Sequence, residues 1–230
     1  MLLLMCALSA CATLDAQVLE KSYGLELGYH AGGQRISGGS GITIRSLERQ
    51  DSLESGRPGY SVGLLFESRA GKVGFTTGLR YLRAGYEVND DGSDGPGLGR
   101  DFRDEVTAHY LEVPFELNFH QDVNERNRML FMLGVAANVH LNTAGTRSVS
   151  IDGVGQGSEP LPEPTDGYRP VVGSLNAGIG YDRKLGEDWA VRVQPYFRFF
   201  LQGNLRESLS QFNRNYYQTG VRVVVKRLFL

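Results

Sequence analysis

Apolar and polar side chains alternate along most of this chain, in segments of about ten residues parted by polar connectors. Tyr23, Leu25, Leu27 and Tyr29 share one face of the first segment. Met129, Phe131, Leu133, Val135, Ala137, Val139 and Leu141 share one face of a later one. Successive side chains of a strand point to opposite faces, so each segment has one apolar and one mixed face. The alternation predicts strands over Ser22–His30, Tyr60–Ser68, Val73–Tyr86, Thr107–Phe119, Arg128–Asn142, Pro170–Arg183, Trp189–Leu201 and Asn215–Arg227.

The connectors alternate as well. Arg69–Lys72, His120–Asn127 and Lys184–Asp188 are short, whereas Ala31–Gly59, Glu87–Val106, Thr143–Arg169 and Gln202–Arg214 are long. Amphipathic strands joined by short turns on one side and long loops on the other are the pattern of a bacterial outer-membrane barrel. The expected fold is all-β: one eight-stranded antiparallel transmembrane up-and-down β-barrel, with short periplasmic turns, long external loops and both chain ends in the periplasm. Within the long connectors, the Asp90–Gly97 stretch and Gly153–Gly167, with Pro160, Pro162 and Pro164, are expected to carry no ladder. Pro114 and Pro195 fall inside predicted strands and lack an N–H, so each implies a bulge or a missing ladder bond.

In such a barrel the apolar face meets lipid, and aromatic rings gather at the headgroup levels. Tyr23, Phe66, Phe75, Phe119, Tyr181 and Trp189 would form the periplasmic girdle; Tyr29, Tyr60, Tyr81, Phe199 and Tyr217 would form the outer one.

Composition changes the picture only at the margins. The 230 residues suffice for one domain, and a net charge of −2 argues against a nucleic-acid partner. Mean hydropathy of −0.26 is that of a soluble protein, but only every second strand residue of a barrel meets lipid. After the N-terminus no apolar run reaches the ~18 residues of a transmembrane helix. Met1–Ala12 reads as an export signal, with cleavage after Ala12 or after Ala16. Leu8-Ser9-Ala10-Cys11 also resembles a lipobox, which would leave Cys11 lipidated. Cys6 and Cys11 both lie in this segment, so a cleaved chain would hold no thiol. The expected organisation is a signal peptide over 1–16 and a single barrel domain over 17–230.

Tyr110-Leu111-Glu112-Val113-Pro114-Phe115-Glu116-Leu117 resembles the signature strand of the PorT-like outer-membrane β-barrel proteins of Bacteroidetes. Ala16-Gln17 followed by a Gly-rich first strand (Gly24, Gly28) fits the same group. The last strand carries Gln218, Gly220, Val223 and Val225 in an order similar to the general β-signal of barrels. It runs on through Lys226 to Leu230, with Phe229 penultimate. The resemblance implies an eight-stranded barrel inserted into the outer membrane of a Gram-negative cell by the barrel-assembly machinery. The best-known members of that group assist a secretion system.

The inward face predicted by parity is polar: Glu26, Arg80, Glu112, Glu116, Asn138, His140, Asn176, Asp182, Arg192, Gln194, Arg198, Gln218 and Arg222. Eight strands leave an interior just wide enough for side chains, and buried charges must be paired, so a plug of ion pairs is expected. Glu26, Arg80, Glu112, Glu116, Arg192, Arg198 and Arg222 would carry it, with Arg80 meeting Glu112 and Glu26 meeting Arg222 across the closing seam. A narrow conduit or small-ligand pocket is the sharper alternative. His30, His109, His120 and His140 form no metal-ligand spacing, and Asp90–Gly95 lacks the full ligand set of a calcium loop. No catalytic residue, metal or cofactor is implied. His109, Ser174 and His140 could be imagined as the set of a lipid-modifying enzyme, but no nucleophile elbow is present. The reading is a non-enzymatic barrel in contact with outer-membrane lipid, its loops available to an envelope partner, for adhesion, or for a secretion machine. A soluble lipocalin-like barrel, apolar inside, and a lipid-modifying enzyme are the alternatives.

Overall fold

The computed structural model describes residues 19–39, 41–90, 100–161, 167–206 and 212–229. The expected signal segment with both cysteines, and most of the Asp-Gly loop, lie outside these residues. Among the described residues nine strands are formed: β1 (Leu19–Gly38), β2 (Glu54–Ala70), β3 (Val73–Asp90), β4 (Arg100–Asp122), β5 (Asn127–Ile151), β6 (Val154–Leu161), β7 (Val171–Lys184), β8 (Trp189–Phe200) and β9 (Phe212–Phe229). A helix, α1 (Ile44–Leu53), joins β1 to β2. Every strand pairing is antiparallel, and eight strands close a ring in the order β1-β2-β3-β4-β5-β7-β8-β9, with β9 returning to β1. β6 is the exception, pairing only with the outer half of β5.

Alternation alone therefore predicts the ring but undercounts the strands. Thr143–Arg169 is not a ladder-free loop. Its first part extends β5 to Ile151, and its Gly- and Pro-containing part forms β6, where Thr146 faces Pro160 and Val149 faces Gly157. Pro160 is tolerated because β6 is an edge strand that owes no second ladder. Ala31–Gly59 is not one loop either. Thr43 caps α1, its Oγ1 accepting from the Ser46 N–H at 3.2 Å, and the segment that follows is rich in good helix formers. Helix and strands are tied by Glu54, which accepts from Gln50 (2.5 Å), Gln34 (2.9 Å) and Arg214 (2.5 and 2.8 Å).

Pro114 and Pro195 do not bulge their strands. Between β3 and β4 the pairing lapses from Thr77–Phe115 to Arg80–Glu112 and resumes in the same register. Between β7 and β8 it lapses from Gly178–Tyr196 to Tyr181–Val193, again without a shift. The missing N–H removes ladder bonds and leaves the offset alone. The bulges lie elsewhere. His109 faces Asn142 while Tyr110 faces His140, so Leu141 is an extra residue in β5, and β2 slips between Arg57 and Tyr60. Beyond Leu141 the parity of β5 inverts, and Thr143 becomes a buried residue.

The short connectors cluster at one end of the ring. Ala70 and Val73 close a two-residue turn in which Gly71 takes φ +60°, a conformation that favours glycine. The other end is uneven. β7 begins at Val171 opposite Val139, and β8 ends at Phe200, whereas β1 to β5 and β9 climb further. The segments around Tyr168 and Leu205 fill the resulting notch, joined by a single bridge.

Candidate functional site: the filled interior of the ring

The two faces of the ring differ sharply. Leu25, Leu27, Leu64, Leu79, Phe131, Leu133, Val193 and Val223 are exposed on the outside, and the charged residues of the same strands are buried inside. A lipocalin-like barrel has the opposite arrangement, with its apolar face lining the cavity.

Charge inside the ring is arranged in three tiers. The tier nearest the short turns holds Glu20, Asp122, Arg69 and Arg128. Asp122 accepts from Arg128 Nε at 2.6 Å and Arg69 Nη2 at 3.0 Å, and Glu20 lies 3.1 Å from Arg128 Nη1. The second tier is Glu67, Asp182, Arg192 and Lys226. Arg192 reaches Glu67 at 2.7 Å and Asp182 at 2.6 Å; Lys226 reaches the same two acids at 3.1 and 2.7 Å. The third joins Glu26, Glu112 and Glu116 to Arg80, Arg198 and Arg222. Arg80 Nε lies 2.6 Å from Glu26, and its Nη1 donates to Glu112. Arg198 meets Glu112 at 2.7 Å, while Arg222 meets Glu116 at 3.0 Å and Glu26 at 3.4 Å.

Acids and bases balance within each tier: two against two, two against two, three against three. Burying a charge costs several kcal/mol in practice, so a tier is tolerable only when every member is paired. A neutral tier also projects little field along the axis.

Strand register explains why these groups meet. Arg80 and Glu112 are direct cross-strand partners, as are Asp182 and Arg192. Glu26 and Arg80 sit on β1 and β3, and Gly63 of β2 stands between them. A Cβ on Gly63 would lie 3.1 Å from Arg80 Cγ and 2.8 Å from the Leu79 carbonyl oxygen. Gly134, opposite Glu116, has the same use: a Cβ there would come within 2.8 Å of Glu116 Cγ. These two glycines give the third tier its width.

Six of the seven residues in the predicted plug thus share one tier, and Arg192 belongs to the tier below. Glu67, Arg69 and Lys226 are missing from the predicted inward set, although parity along β2 and β9 places each on the inward face. Asn138 donates to Ser174 Oγ at 2.9 Å, Asn176 accepts from Arg198 at 3.3 Å, and Gln218 accepts from Arg198 at 3.0 Å. Gln194 is buried, and His140 is half-buried with Nε2 2.8 Å from Thr143 Oγ1. His109 packs against Tyr81, its Nδ1 2.5 Å from the Tyr81 hydroxyl, whereas His140 is bonded to Thr143 and Ser174 to Asn138.

The aromatic residues chosen from sequence all stand on the outward face. Tyr23 packs against Phe66 (5.2 Å between centroids) and Phe229 (5.6 Å), beside Phe75, Phe119, Tyr181 and Trp189 at the short-turn end. Toward the other end Tyr29 pairs with Tyr60, Tyr60 lies tilted against Tyr81 with 6.2 Å between centroids, and Phe199 pairs with Tyr217. Of the β-signal positions, Gln218 points inward, Val223 and Val225 point outward, and Gly220 lies against His30.

Above the third tier the interior turns largely apolar, with the Arg214–Glu54 ion pair at its upper edge and the Arg214 guanidinium 4.5 Å from the centre of the Tyr86 ring. Leu82, Tyr86, Val106, Tyr110, Phe200 and Tyr216 form a buried cluster closed from above by Tyr168. The sequence reading treats the inward face as polar throughout and misses this cluster, although Leu82, Ala84 and Tyr86 continue the parity of Arg80.

A family model described as the outer membrane protein β-barrel domain matches residues 16–214. No curated protein matches the sequence. Solved structures similar to this chain include Neisserial surface protein A (11% identity, TM-score 0.43, 89% of this chain and 96% of that one). OprG from Pseudomonas aeruginosa is similar at 12% identity and TM-score 0.44 (94% and 98%), and the outer membrane protease OmpT from Escherichia coli at 9% and 0.40 (94% and 100%).

Proposed function

The chain belongs to the outer-membrane protein β-barrel domain family, and from that premise we propose that it is a sealed, non-enzymatic barrel that displays its outer extensions to a partner. The observation that carries this reading is the neutrality of each interior tier, which suits a rigid anchor better than a pore. The strands beyond the outer girdle, with β6 and α1, supply far more ordered surface than the short turns. That asymmetry supports placing the short turns in the periplasm and the extensions outside the cell. The Tyr110–Leu117 strand supports a place in the PorT-like group, with assistance to an envelope or secretion machine as the role and insertion by the barrel-assembly machinery.

Reconstitution in a planar bilayer at neutral pH tests the sealed interior. No conductance steps are expected, and discrete openings in the wild-type protein would replace the anchor reading with a conduit. Carbonate washing of envelopes tests the location: retention in the pellet is expected, and release into the soluble fraction would sink the proposal. Lipid A from a deletion strain should show an unchanged mass profile if the barrel has no lipid-modifying activity.

A further inference from the structure

Three strands bring four side chains together at the outer girdle. Arg83 of β3 faces Tyr60 of β2 and His109 of β4 in register. Their chain neighbours Leu82, Ala84, Ala108 and Tyr110 belong to the buried cluster inside the ring, so parity leaves Arg83 and His109 on the outward face with Tyr60 and Tyr81. The contacts agree. The Arg83 guanidinium lies 5.8 Å from the centre of the Tyr60 ring, and the His109 ring is stacked on Tyr81 with 5.8 Å between centroids.

These cross-strand neighbours carry donors that nothing nearby accepts. The acids further up the same face are engaged by other arginines: Glu87 by Arg103 at 2.6 Å, and Glu105 by Arg57 at 2.8 Å, which crosses Gly85 to reach it. Among the described residues no carboxylate comes within ion-pair distance of Arg83. The Tyr81 hydroxyl lies 2.5 Å from His109 Nδ1. With the phenol donating there, the imidazole proton sits on Nε2, which has no acceptor among the described residues. A guanidinium fork and an imidazole N–H, both half-buried and side by side, are the donor set that an anionic phosphate takes. What lies below them decides what carries the phosphate. Leu79 and Val62 are exposed on the same face, and Leu79 stands four residues from Arg83, about 13 Å along the strand. A soluble anion makes no use of that apolar wall, whereas a phosphate that bears acyl chains fills both parts.

We propose that Arg83 and His109 form a binding site for the phosphate of an outer-leaflet lipid headgroup, whose acyl chains run down the apolar face over Tyr81, Leu79 and Val62. Arg83 supplies charge and two parallel N–H bonds, His109 adds a third from Nε2, and the Tyr81 hydroxyl holds the imidazole in the donating tautomer. Stacking on Tyr60 keeps the guanidinium at headgroup level. The site rests on the reading that the long extensions face outward from the cell, and it turns general lipid contact into one defined contact on β2, β3 and β4.

Native mass spectrometry of the full protein in dodecyl maltoside, a phosphate-free detergent, titrated with lipid A tests this. The wild type should take up one lipid A saturably. Arg83→Gln should weaken that uptake about tenfold, as expected for a lost charge-assisted bond. Arg83→Lys should fall between the two, because an ammonium keeps the charge and loses the fork. His109→Ala should also weaken uptake, and Arg35→Gln, exposed on β1 outside the cluster, should not. Lipid A freed of its phosphates should bind weakly and equally to all of them. In protein labelled with 15N-histidine, the His109 Nε2 signal should shift on adding lipid A and stay in place with the dephosphorylated form. Wild-type uptake by both Arg83→Gln and His109→Ala, in barrels that keep heat-modifiable migration, would overturn the proposal. Inorganic phosphate that shifts the His109 signal at the same concentration as lipid A would make this a site for soluble anions and overturn it too. Orientation is read separately by tags at Gly153 and Gly71, so failure of lipid A binding with the expected labelling removes this site alone.

Discussion

Arg80 of β3 and Glu112 of β4 face each other in register and form an ion pair with both side chains wholly buried. Arg80 also holds Glu26 and Glu116, and Glu112 also holds Arg198, so the pair is the hub of the third tier. Removing one member strands charges that have no water to turn to. Arg80→Ala or Glu112→Ala should each cost about 3–5 kcal/mol, and the double replacement should cost less than the sum of the two. Denaturant midpoints of the refolded barrels check this. Single variants that unfold at the wild-type midpoint would mean the interior is hydrated.

Gly63 separates Glu26 from Arg80 across three strands, and a side chain there meets Arg80 and the Leu79 carbonyl. Gly63→Ala should destabilise the barrel by about 1–3 kcal/mol through overpacking. Gly155→Ala, with nothing near its Cβ, should be close to neutral in the same assay.

Leu133 and Val223 are exposed on the apolar outer face, opposite Ala177 of β7 and Val193 of β8. Arginine at either position should cost about 2–4 kcal/mol if that face meets acyl chains. Heat-modifiable migration unaffected by Leu133→Arg and Val223→Arg would say that it meets water.

A tag inserted in the β5–β6 hairpin, at Gly153, should be labelled on intact cells, and a tag at Gly71 should be labelled only after permeabilisation. The hairpin turn is exposed and lies at the opposite end of the ring from Gly71. The reverse pattern would invert the orientation.

On the outer extension, a hydrogen bond from Arg103 at 2.6 Å holds the Glu87 carboxyl below the usual carboxylate range, with Ser55 adding a second bond at 3.1 Å. A depressed folded-state pKa stabilises the extension above the unfolded value, and that contribution is lost as pH falls through the folded value. The Glu87 carboxyl should therefore titrate below an ordinary glutamate by NMR. Arg103→Ala should return it toward the normal range, and an unchanged midpoint would remove Arg103 as the cause.

What the chain determines locally is its strands and their faces. Period-two alternation needs no partner to be read, because the pleat sends successive side chains to opposite sides whatever lies next to them. That is why the eight ring strands, the apolar outer face and the inward parity of Arg80 and Glu112 are legible in the residues alone. Features that break the period are not legible. The extra Leu141 inverts β5, and the hairpin through Pro160 adds a strand where Gly and Pro would otherwise mark a loop. Helix α1 sits inside a connector, where the Thr43 cap and the helix formers after it make only a short, ten-residue signal. Only the closed ring decides depth, meaning which acid stands at the level of which base. Strand stagger sets that level, and residues far apart in sequence, such as Glu67 and Lys226 at 3.1 Å, meet across the interior. The seat of Tyr168 is decided in the same way: no local pattern places a connector residue inside the ring, and only closure of the walls around it creates the space it fills.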